Sequence, residues 1–350
     1  MTILRQASYA LLISFAAYNI AQFLVHFGVN IRVYNYVPGE CSVLTLSEEE
    51  IYASDFVTLP DRILFPFISA SKKTGFFTFE SKNKSATKLE LPDKSLQEFL
   101  PEGLSIWKNR IFVVNHRLKE DTVEVISLAK DSNSLKHLST IRSKKFIGLH
   151  DVAAVGKTKF FATSWIEEKN EFKRFIQEYM SLHNGAVIFF DGTTTRYVDR
   201  KISSPYGIAY DTEHKSLYVA SYSRESLIAY TVSESFSIKR KGEIKLNSSP
   251  SLLWQGIDRS LIVSTHPIRY RSLFHRSNET GNFSPSLILR VHSSFTYSNN
   301  TRLDTLYSND GATISAATSV IVTGSSLLMS GGNTPILSCK LQPYVSFSLS

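Results

Sequence analysis

Short apolar runs separated by polar turn residues dominate the chain beyond its N-terminal segment. Residues 101–126 contain a turn, a short strand pattern, a polar turn at Lys108 and Asn109, and two further runs rich in β-branched and aromatic residues. Such runs bounded by turn residues are typical of strands. The same order of features returns at residues 204–232, where Gly207 corresponds to Gly103. The chain therefore uses one supersecondary unit more than once.

The repeat can be followed along the chain by the positions at which each unit begins. These unit starts are Asp55, Gly103, Asp151, Gly207, Ser251 and a position near Ala316. The first five are 44 to 56 residues apart, and the last interval carries an insertion at residues 267–309 that is rich in Ser, Asn and Arg. A four-stranded unit that recurs every roughly 40–50 residues is typical of a propeller blade. The sequence predicts an all-β, six-bladed β-propeller.

One segment departs from the strand pattern. Residues 167–183 place apolar side chains at helical spacing, namely Phe172, Phe175, Ile176, Tyr179 and Met180. This spacing predicts one inserted amphipathic helix. The helix either packs flat on its own propeller or presents its apolar face to a partner or a membrane.

The N-terminal segment is apolar enough to enter a membrane. Residues 7–29 carry no charge apart from that of His26, and about 20 apolar residues span a bilayer. We expect a transmembrane signal-anchor helix at 7–29, a cytoplasmic stub at 1–6 and a lumenal or extracellular propeller at 33–350. A cleavable signal peptide with its apolar core at residues 9–17 is the alternative.

Two further features favour export. The only cysteines are Cys41 and Cys339, near the two ends of the predicted propeller, which suggests a disulfide that joins the ends. Two unpaired buried thiols are the alternative. Five sequons for N-linked glycosylation are present, at Asn83, Asn247, Asn278, Asn282 and Asn299.

The charge pattern argues against nucleic acid as a partner. The formal net charge is +8, but Lys and Arg are scattered through turns and form no basic run interleaved with aromatic residues. Nucleic-acid-binding domains concentrate that charge on one face. We therefore expect no nucleic acid partner.

Several segments, in order, resemble the paraoxonase/arylesterase family. They are PEGLS, VVNH and TVEV within 101–125, and the segments 136–156, 204–221, 264–267 and 336–341. The resemblance covers residues 41–341. It implies a six-bladed propeller whose ring is closed by a disulfide between Cys41 and Cys339.

The resemblance implies a loss of the family's catalytic calcium. Its ligand positions correspond here to Ser54, His150, Tyr206, Pro250 and Ser251. Calcium takes six to eight oxygen ligands, and both carboxylates of the family site are replaced. The family's proposed catalytic histidine is Glu102 here, whereas its partner is kept as His116. We expect no calcium lactonase mechanism.

Other chemistry at the same mouth remains open. Glu102, His116 and His150 are a set that a remodelled metal or hydrolase site can use, although no zinc-binding spacing supports it. Alternatively, His116 is a hydrogen-bonded structural residue. Ser264 and His266 have no third partner at a recognisable spacing, so we expect no serine triad.

The family's second, structural calcium is compatible with this sequence. The resemblance places its ligands at Asp55, Asp151 and the main-chain carbonyl of Leu104. The alternative is that the two aspartates cap turns by accepting backbone N–H groups.

The combination of an anchor, a propeller and missing catalytic ligands is similar to a nematode branch of the family. Members of that branch resemble chaperones of degenerin/epithelial sodium channels. The resemblance implies a non-catalytic protein of the endoplasmic reticulum membrane or plasma membrane that helps to fold, assemble and traffic a channel. A calcium-dependent arylesterase or lactonase with a remodelled site is the alternative.

Overall fold

Six antiparallel sheets form the blades of a β-propeller, as the sequence predicts. The computed structural model describes residues 2–342 apart from 30, 48, 90–97, 118–119, 129–133, 167, 169, 276–282, 293–300 and 332–333. Each blade begins with an inner strand and continues outwards, and most strands pair with their neighbours in sequence.

The strands fall into six groups. The first strand, β1 (Cys41–Val43), belongs to the last blade. Blade one contains β2 (Ile51–Ala53), β3 (Val57–Thr58), β4 (Ile63–Ser69), β5 (Thr74–Glu80) and β6 (Ser85–Leu89). Blade two contains β7 (Pro101–Trp107), β8 (Arg110–His116), β9 (Asp121–Leu128) and β10 (Leu135–Ile141). Blade three contains β11 (Leu149–Ala154), β12 (Phe160–Ser164), β13 (Gly185–Phe190) and β14 (Thr195–Ile202).

Blade four contains β15 (Pro205–Asp211), β16 (Ser216–Ser221), β17 (Ser226–Val232) and β18 (Ile238–Lys245). Blade five contains β19 (Ser249–Gln255), β20 (Leu261–His266), β21 (Ser286–Val291) and β22 (Leu303–Asn309). Blade six contains β23 (Ala317–Thr323), β24 (Ser326–Gly331) and β25 (Thr334–Lys340), completed by β1.

The core lies between neighbouring blades. Phe112 and Val123 of blade two pack with Val152 and Phe160 of blade three, and all four side chains are buried. Similar clusters join the other blades around the ring. Both faces of the middle strands are covered, which explains why these strands read as continuous apolar runs rather than as alternating ones.

The ring is closed by the pairing of β1 with β25. Cys41 lies opposite Cys339 in this antiparallel register, and the two form a disulfide that spans 298 residues of sequence. The predicted disulfide is confirmed, and the alternative of two free thiols is wrong. A cross-link over a long loop stabilises a domain typically by about 2–4 kcal/mol.

Three helices accompany the strands. Helix α1 (Thr2–His26) is N-terminal, α2 (Glu171–Tyr179) joins β12 to β13, and α3 (Arg269–His275) follows β20. Within α1, the segment Arg5–Val25 is long and apolar enough to cross a membrane. A short 3-10 helix, Tyr222–Arg224, follows β16.

Two boundaries predicted from the sequence need correction. The inserted helix is shorter than 167–183, because the Asn170 side chain accepts a hydrogen bond from the Lys173 N–H and caps its start. At the other end, Ser181 has a φ of 52° and turns the chain out of the helix. The segment 267–309 is also not a simple insertion, since it contains α3 and the two outer strands of blade five.

Candidate functional site

The propeller face at which the inner strands begin carries the positions singled out in the sequence. We call this region the upper mouth and define it by its polar and aromatic side chains, Glu102, His116, His150, Tyr206 and Tyr222. Glu102, His150 and Tyr206 stand near the starts of β7, β11 and β15, three neighbouring inner strands. The propeller topology thus brings together residues that are about fifty apart in sequence.

His116 is held between two carboxylates. Its Nδ1 lies 2.8 Å from Asp121 Oδ1, and its Nε2 contacts Glu102 Oε2. The other oxygen of Glu102 is 3.4 Å from His150 Nε2. Asp121 Oδ2 also accepts the Leu149 N–H at 3.0 Å, so the cluster links blade two to blade three.

The carboxylates determine the protonation state of His116. Burial lowers the pKa of this imidazole, but the charge of Glu102 and the hydrogen bonds with Asp121 and Glu102 outweigh burial and raise the pKa to about 10. His116 is therefore an imidazolium ion at neutral pH. A cation in this position stabilises the two carboxylates but cannot accept a proton from a nucleophile.

Aromatic rings fill the rest of the upper mouth. The His150 and Tyr206 rings stack with centroids 4.1 Å apart, and the Tyr206 and Tyr222 rings stack at 4.5 Å. The Tyr222 hydroxyl donates to Ser272 Oγ at 2.9 Å. Tyr206 is 2% exposed, so the stack forms part of the packed interior.

The remaining positions that correspond to the family's calcium site provide few oxygen ligands for a cation. Ser54 Oγ donates to the Glu102 carbonyl at 3.1 Å, and Ser251 is 1% exposed. Among the seven family positions, Glu102 alone carries a carboxylate, and both of its oxygens contact imidazoles. Calcium needs several oxygen ligands. These residues do not fit a catalytic calcium ion.

Two other kinds of site also find no support in the geometry. Within the described residues, no group of three or more His, Cys, Asp or Glu side chains is arranged to hold a metal ion. Ser264 Oγ donates to the Leu252 carbonyl at 3.1 Å, whereas His266 Nε2 lies 3.0 Å from the Ala317 carbonyl. Ser264 thus donates to backbone, and the hydroxyl beside His266 is that of the buried Ser272, at 3.0 Å from His266 Nδ1. The other ring nitrogen faces a backbone carbonyl and not the carboxylate that orients the base in a triad.

Asp55 and Asp151 lie buried deeper in the central tunnel. Asp55 accepts the N–H groups of Phe56 at 2.7 Å and Leu104 at 2.8 Å. Asp151 accepts those of Val152 at 2.7 Å and Ile208 at 2.8 Å. Each aspartate therefore joins its own inner strand to that of the next blade, as the capping alternative predicts.

The two aspartates disfavour each other's charge. Burial raises the pKa of both carboxyl groups, and for Asp151 the charge of Asp55 raises it further. A cavity of about 380 Å³ reaches them from the opposite end of the tunnel. Paired carboxylates with free lone pairs suit a hard divalent cation. A structural calcium ion at Asp55 and Asp151 stays a prediction, because within the described residues no third His, Cys, Asp or Glu side chain joins the pair to form a metal site.

A third arrangement, which the sequence did not indicate, fixes the end of α1 to the upper face. Phe27 is 3% exposed, and the guanidinium of Arg269 lies 5.1 Å from its ring centroid. Arg269 is itself fully buried and donates to Ser181 Oγ at 3.0 Å and Ser223 Oγ at 3.2 Å. Ser181, just past α2, and Phe27, just past α1, thus contact the same buried side chain. No periodicity in the sequence predicts such a contact.

Helix α2 and the residue that follows it leave apolar side chains in solvent. Phe172 is 70% exposed, Ile176 40% and Met180 61%. Flat packing of this helix on its own propeller is therefore wrong for these three residues. The side chains of Phe175 and Tyr179 lie outside the described part of the chain. Among the sequons, Asn83 and Asn247 are exposed, while Asn278, Asn282 and Asn299 lie outside the described residues.

Comparison with known proteins agrees with the resemblance inferred from the sequence. Mechanosensory abnormality protein 6 of Caenorhabditis elegans is 27% identical over 344 residues, covering 91% of this chain and 90% of that protein. Serum paraoxonase/arylesterase 2 of Canis lupus familiaris is 25% identical over 284 residues, covering 78% of each chain.

The solved structures support the fold alone. A luciferin-regenerating enzyme superposes with a TM-score of 0.55 at 12% identity, over 87% of this chain and 96% of that one. The family evidence is independent of this likeness, because the arylesterase family model matches residues 13–341. The chain belongs to the arylesterase family.

Proposed function

We propose that this protein is a non-catalytic, membrane-anchored member of the arylesterase family. Its proposed role is to assist the folding, assembly and surface expression of a membrane channel of the degenerin/epithelial sodium channel type. The observation that supports this proposal most is the arrangement of side chains in the upper mouth. His116 bridges Glu102 and Asp121 there, and the ring stack of His150, Tyr206 and Tyr222 fills the neighbouring space.

The proposal of a binding function follows from the chemistry of that mouth. The position that corresponds to the family's proposed catalytic histidine holds a carboxylate engaged with two imidazoles. His116, with its raised pKa, is a poor general base at neutral pH. A hydrolase with a remodelled site remains the competing function, and it needs a polarising group beside its base. Among the described residues, no group of three or more His, Cys, Asp or Glu side chains is arranged to hold a metal ion that would polarise a substrate.

Membrane attachment is supported by α1. Its segment Arg5–Val25 is exposed throughout and long enough to cross a bilayer. We propose that the propeller lies on the lumenal or extracellular side, in the endoplasmic reticulum membrane and at the plasma membrane. The disulfide between Cys41 and Cys339 supports that side, because disulfides persist in oxidising compartments. A structural calcium ion at Asp55 and Asp151 is part of the same proposal.

The proposal that the assisted protein is a channel is supported by the relative from Caenorhabditis elegans, whose name refers to mechanosensation. The proposed contact surface is the upper face, where α2 leaves Phe172 and Met180 exposed. The end of α1 lies on the same face through the contact of Phe27 with Arg269. A channel subunit in the same membrane would therefore meet this face first.

Two measurements test the proposal together. The full chain is co-expressed with a degenerin-type channel, and the channel at the cell surface is measured by biotinylation. The purified chain is also assayed for phenyl acetate and lactone hydrolysis with calcium and with EDTA. More surface channel and no turnover support the proposal. Hydrolysis that EDTA abolishes, or unchanged surface channel alongside a folded, membrane-inserted chain, contradicts it.

A further inference from the structure

A groove separates the segment that follows α1 from the side of the propeller. We call it the linker groove and define it by its main lining side chains, Ile31, Tyr34, Tyr36, Asn247, Pro267 and Leu287. Its volume is about 460 Å³. Sites that hold small ligands commonly have volumes of roughly 300–1,000 Å³.

The linker is fixed at both ends of this groove. At one end, Gly28 has a φ of 79°, and a Cβ there would lie 3.0 Å from the Pro267 carbonyl oxygen. At the other end, Tyr36 exchanges two backbone hydrogen bonds of 2.8 Å with Ser308 of β22. The Asn35 side chain also accepts the Asp310 N–H at 3.0 Å. The groove therefore has defined walls.

Asn247 stands in the wall of the groove and begins a sequon. It is exposed and has a φ of 54°, a left-handed conformation that asparagine tolerates better than most residues. The two serines that complete the sequon are buried, and Ser248 Oγ donates to Thr265 Oγ1 at 2.7 Å. Asn247 is therefore the accessible member of a sequon whose other two residues are held in the fold.

The opposite wall has the chemistry that a sugar ring requires. Tyr34 is 79% exposed and Tyr36 is 41% exposed. The apolar C–H face of a pyranose packs on an aromatic ring, while its hydroxyls hydrogen-bond with polar atoms at the rim. Tyrosine offers both an aromatic face and a polar end. Arg32 also lines the groove and supplies donors at its edge.

From this geometry, we propose that Asn247 carries an N-linked oligosaccharide whose first sugars occupy the linker groove and hold residues 31–36 against the propeller. The inference rests on the lumenal or extracellular orientation proposed above. The attached glycan acts as an intramolecular clamp, since its link to Asn247 keeps its local concentration at the groove high.

Asn83 provides a matched control. It lies in the turn between β5 and β6 of blade one, exposed, and its side-chain amide donates to Glu80 Oε2 at 3.1 Å. Asn83 does not line the linker groove, so a glycan there should not affect the linker. Comparison of the two sites therefore separates a general effect of glycosylation from an effect of the groove.

The test uses the full chain in membranes and limited trypsin digestion. Cleavage after Arg32, read on a denaturing gel, separates α1 from the propeller. Asn247→Gln and Ser249→Ala each remove the sequon, and the second leaves Asn247 in place. We expect each variant to lose one glycan and to be cleaved after Arg32 several times faster than the wild type, because cleavage follows the opening of the linker. Asn83→Gln should lose a glycan and be cleaved like the wild type.

A third variant separates the groove from the glycan itself. Tyr34→Ala with Tyr36→Ala should keep the Asn247 glycan and still be cleaved several times faster. A wild-type cleavage rate in Asn247→Gln would overturn the inference and place the glycan in solvent. A glycan at Asn83 but none at Asn247 would overturn the inference while leaving the orientation intact. Glycans at neither site would overturn both.

Discussion

Asp121 Oδ1 lies 2.8 Å from Nδ1 of His116, so the imidazole is held by a carboxylate from the adjacent strand. Glu102 contacts the opposite ring nitrogen. A family position that keeps its histidine has thus become the centre of an ion-pair network. A neutral His116 imidazole would act as a base, whereas the His116 imidazolium acts as a structural cation.

The first prediction concerns the pH dependence of stability. Because the folded-state pKa of His116 is raised to about 10, its contribution is fully present below the unfolded-state pKa near 6.5 and is lost as pH rises through about 10. We expect this contribution to be on the order of 2–4 kcal/mol. In His116→Asn, the melting temperature should fall at pH 7 and lose this alkaline dependence.

The control for this prediction is His183→Asn, which changes an exposed histidine after α2. Its melting curve should follow that of the wild type across the alkaline range. If His116→Asn and the wild type lost stability in parallel between neutral and alkaline pH, the network would not be the source of the effect.

The second prediction concerns Glu124, a fully buried carboxylate in blade two. Its Oε1 accepts from Asn115 at 3.1 Å and from Thr122 at 2.8 Å, and its Oε2 lies 2.9 Å from His137 Nε2. Burial raises the pKa of Glu124, but hydrogen bonds led by that from Thr140 outweigh it and lower the pKa. Glu124→Ala should lower the free energy of unfolding by about 3–5 kcal/mol, since it leaves buried hydrogen-bond donors without an acceptor.

Chemical denaturation measures this loss, and Glu243→Ala is its control. Glu243 pairs with Arg240 on the exposed strand β18. Removal of that pair should cost about 1 kcal/mol or less. Equal losses in the two variants would mean that the Glu124 network adds nothing beyond a surface ion pair.

The third prediction concerns calcium. Since burial raises the pKa of Asp55 and Asp151, the metal-free domain should lose stability as pH rises from the unfolded-state pKa near 4 through the raised folded-state values. Calcium binds the ionised pair, so it should raise the melting temperature most at the alkaline end. At a calcium concentration a hundred times the dissociation constant, the gain is about 2.7 kcal/mol.

Asp151→Asn provides the comparison. It keeps an oxygen that accepts the Ile208 N–H but removes one charge, so calcium should no longer raise its melting temperature. Magnesium, which prefers a smaller octahedral site, should have less effect on the wild type. A wild-type melting temperature that calcium leaves unchanged at every pH would show that the aspartates serve as hydrogen-bond acceptors alone.

Repeated strands are well predicted from the sequence, whereas side-chain contacts between different segments of the chain are poorly predicted. Runs such as those of β8 and β9 have a local cause in strand propensity, and their recurrence sets the number of blades. The family resemblance places Glu102 and His116 at one mouth, whereas their direct contact depends on how β7 and β8 pair, which a pattern of apolar residues does not encode. Arg269 shows the same limit, because its contacts with Phe27 and Ser181 join segments far apart in sequence.

The last prediction tests the surface proposed to meet a channel. Phe172 and Met180 are exposed apolar residues of the α2 region and lose little water contact within the chain. Phe172→Asp with Met180→Asp should change the unfolding free energy by only about 0.5 kcal/mol. The same variant should greatly reduce the gain in surface channel, since a buried unpaired charge opposes docking.

Lys173→Glu is the matched control, because it changes the charge of the same helix at a residue whose side chain is 68% exposed. Like the double Asp variant, it changes the net charge by two negative units, but it gives up the contact of Lys173 with Glu168 rather than an apolar contact. Most of the gain in surface channel should therefore remain. Surface biotinylation of the channel beside each variant measures the difference, and the membrane level of each variant is checked in parallel. If the double Asp variant still gave the full gain in surface channel, the channel would have to bind another surface of the protein. An equal loss in Lys173→Glu would instead assign the effect to the charge of α2 rather than to its apolar face.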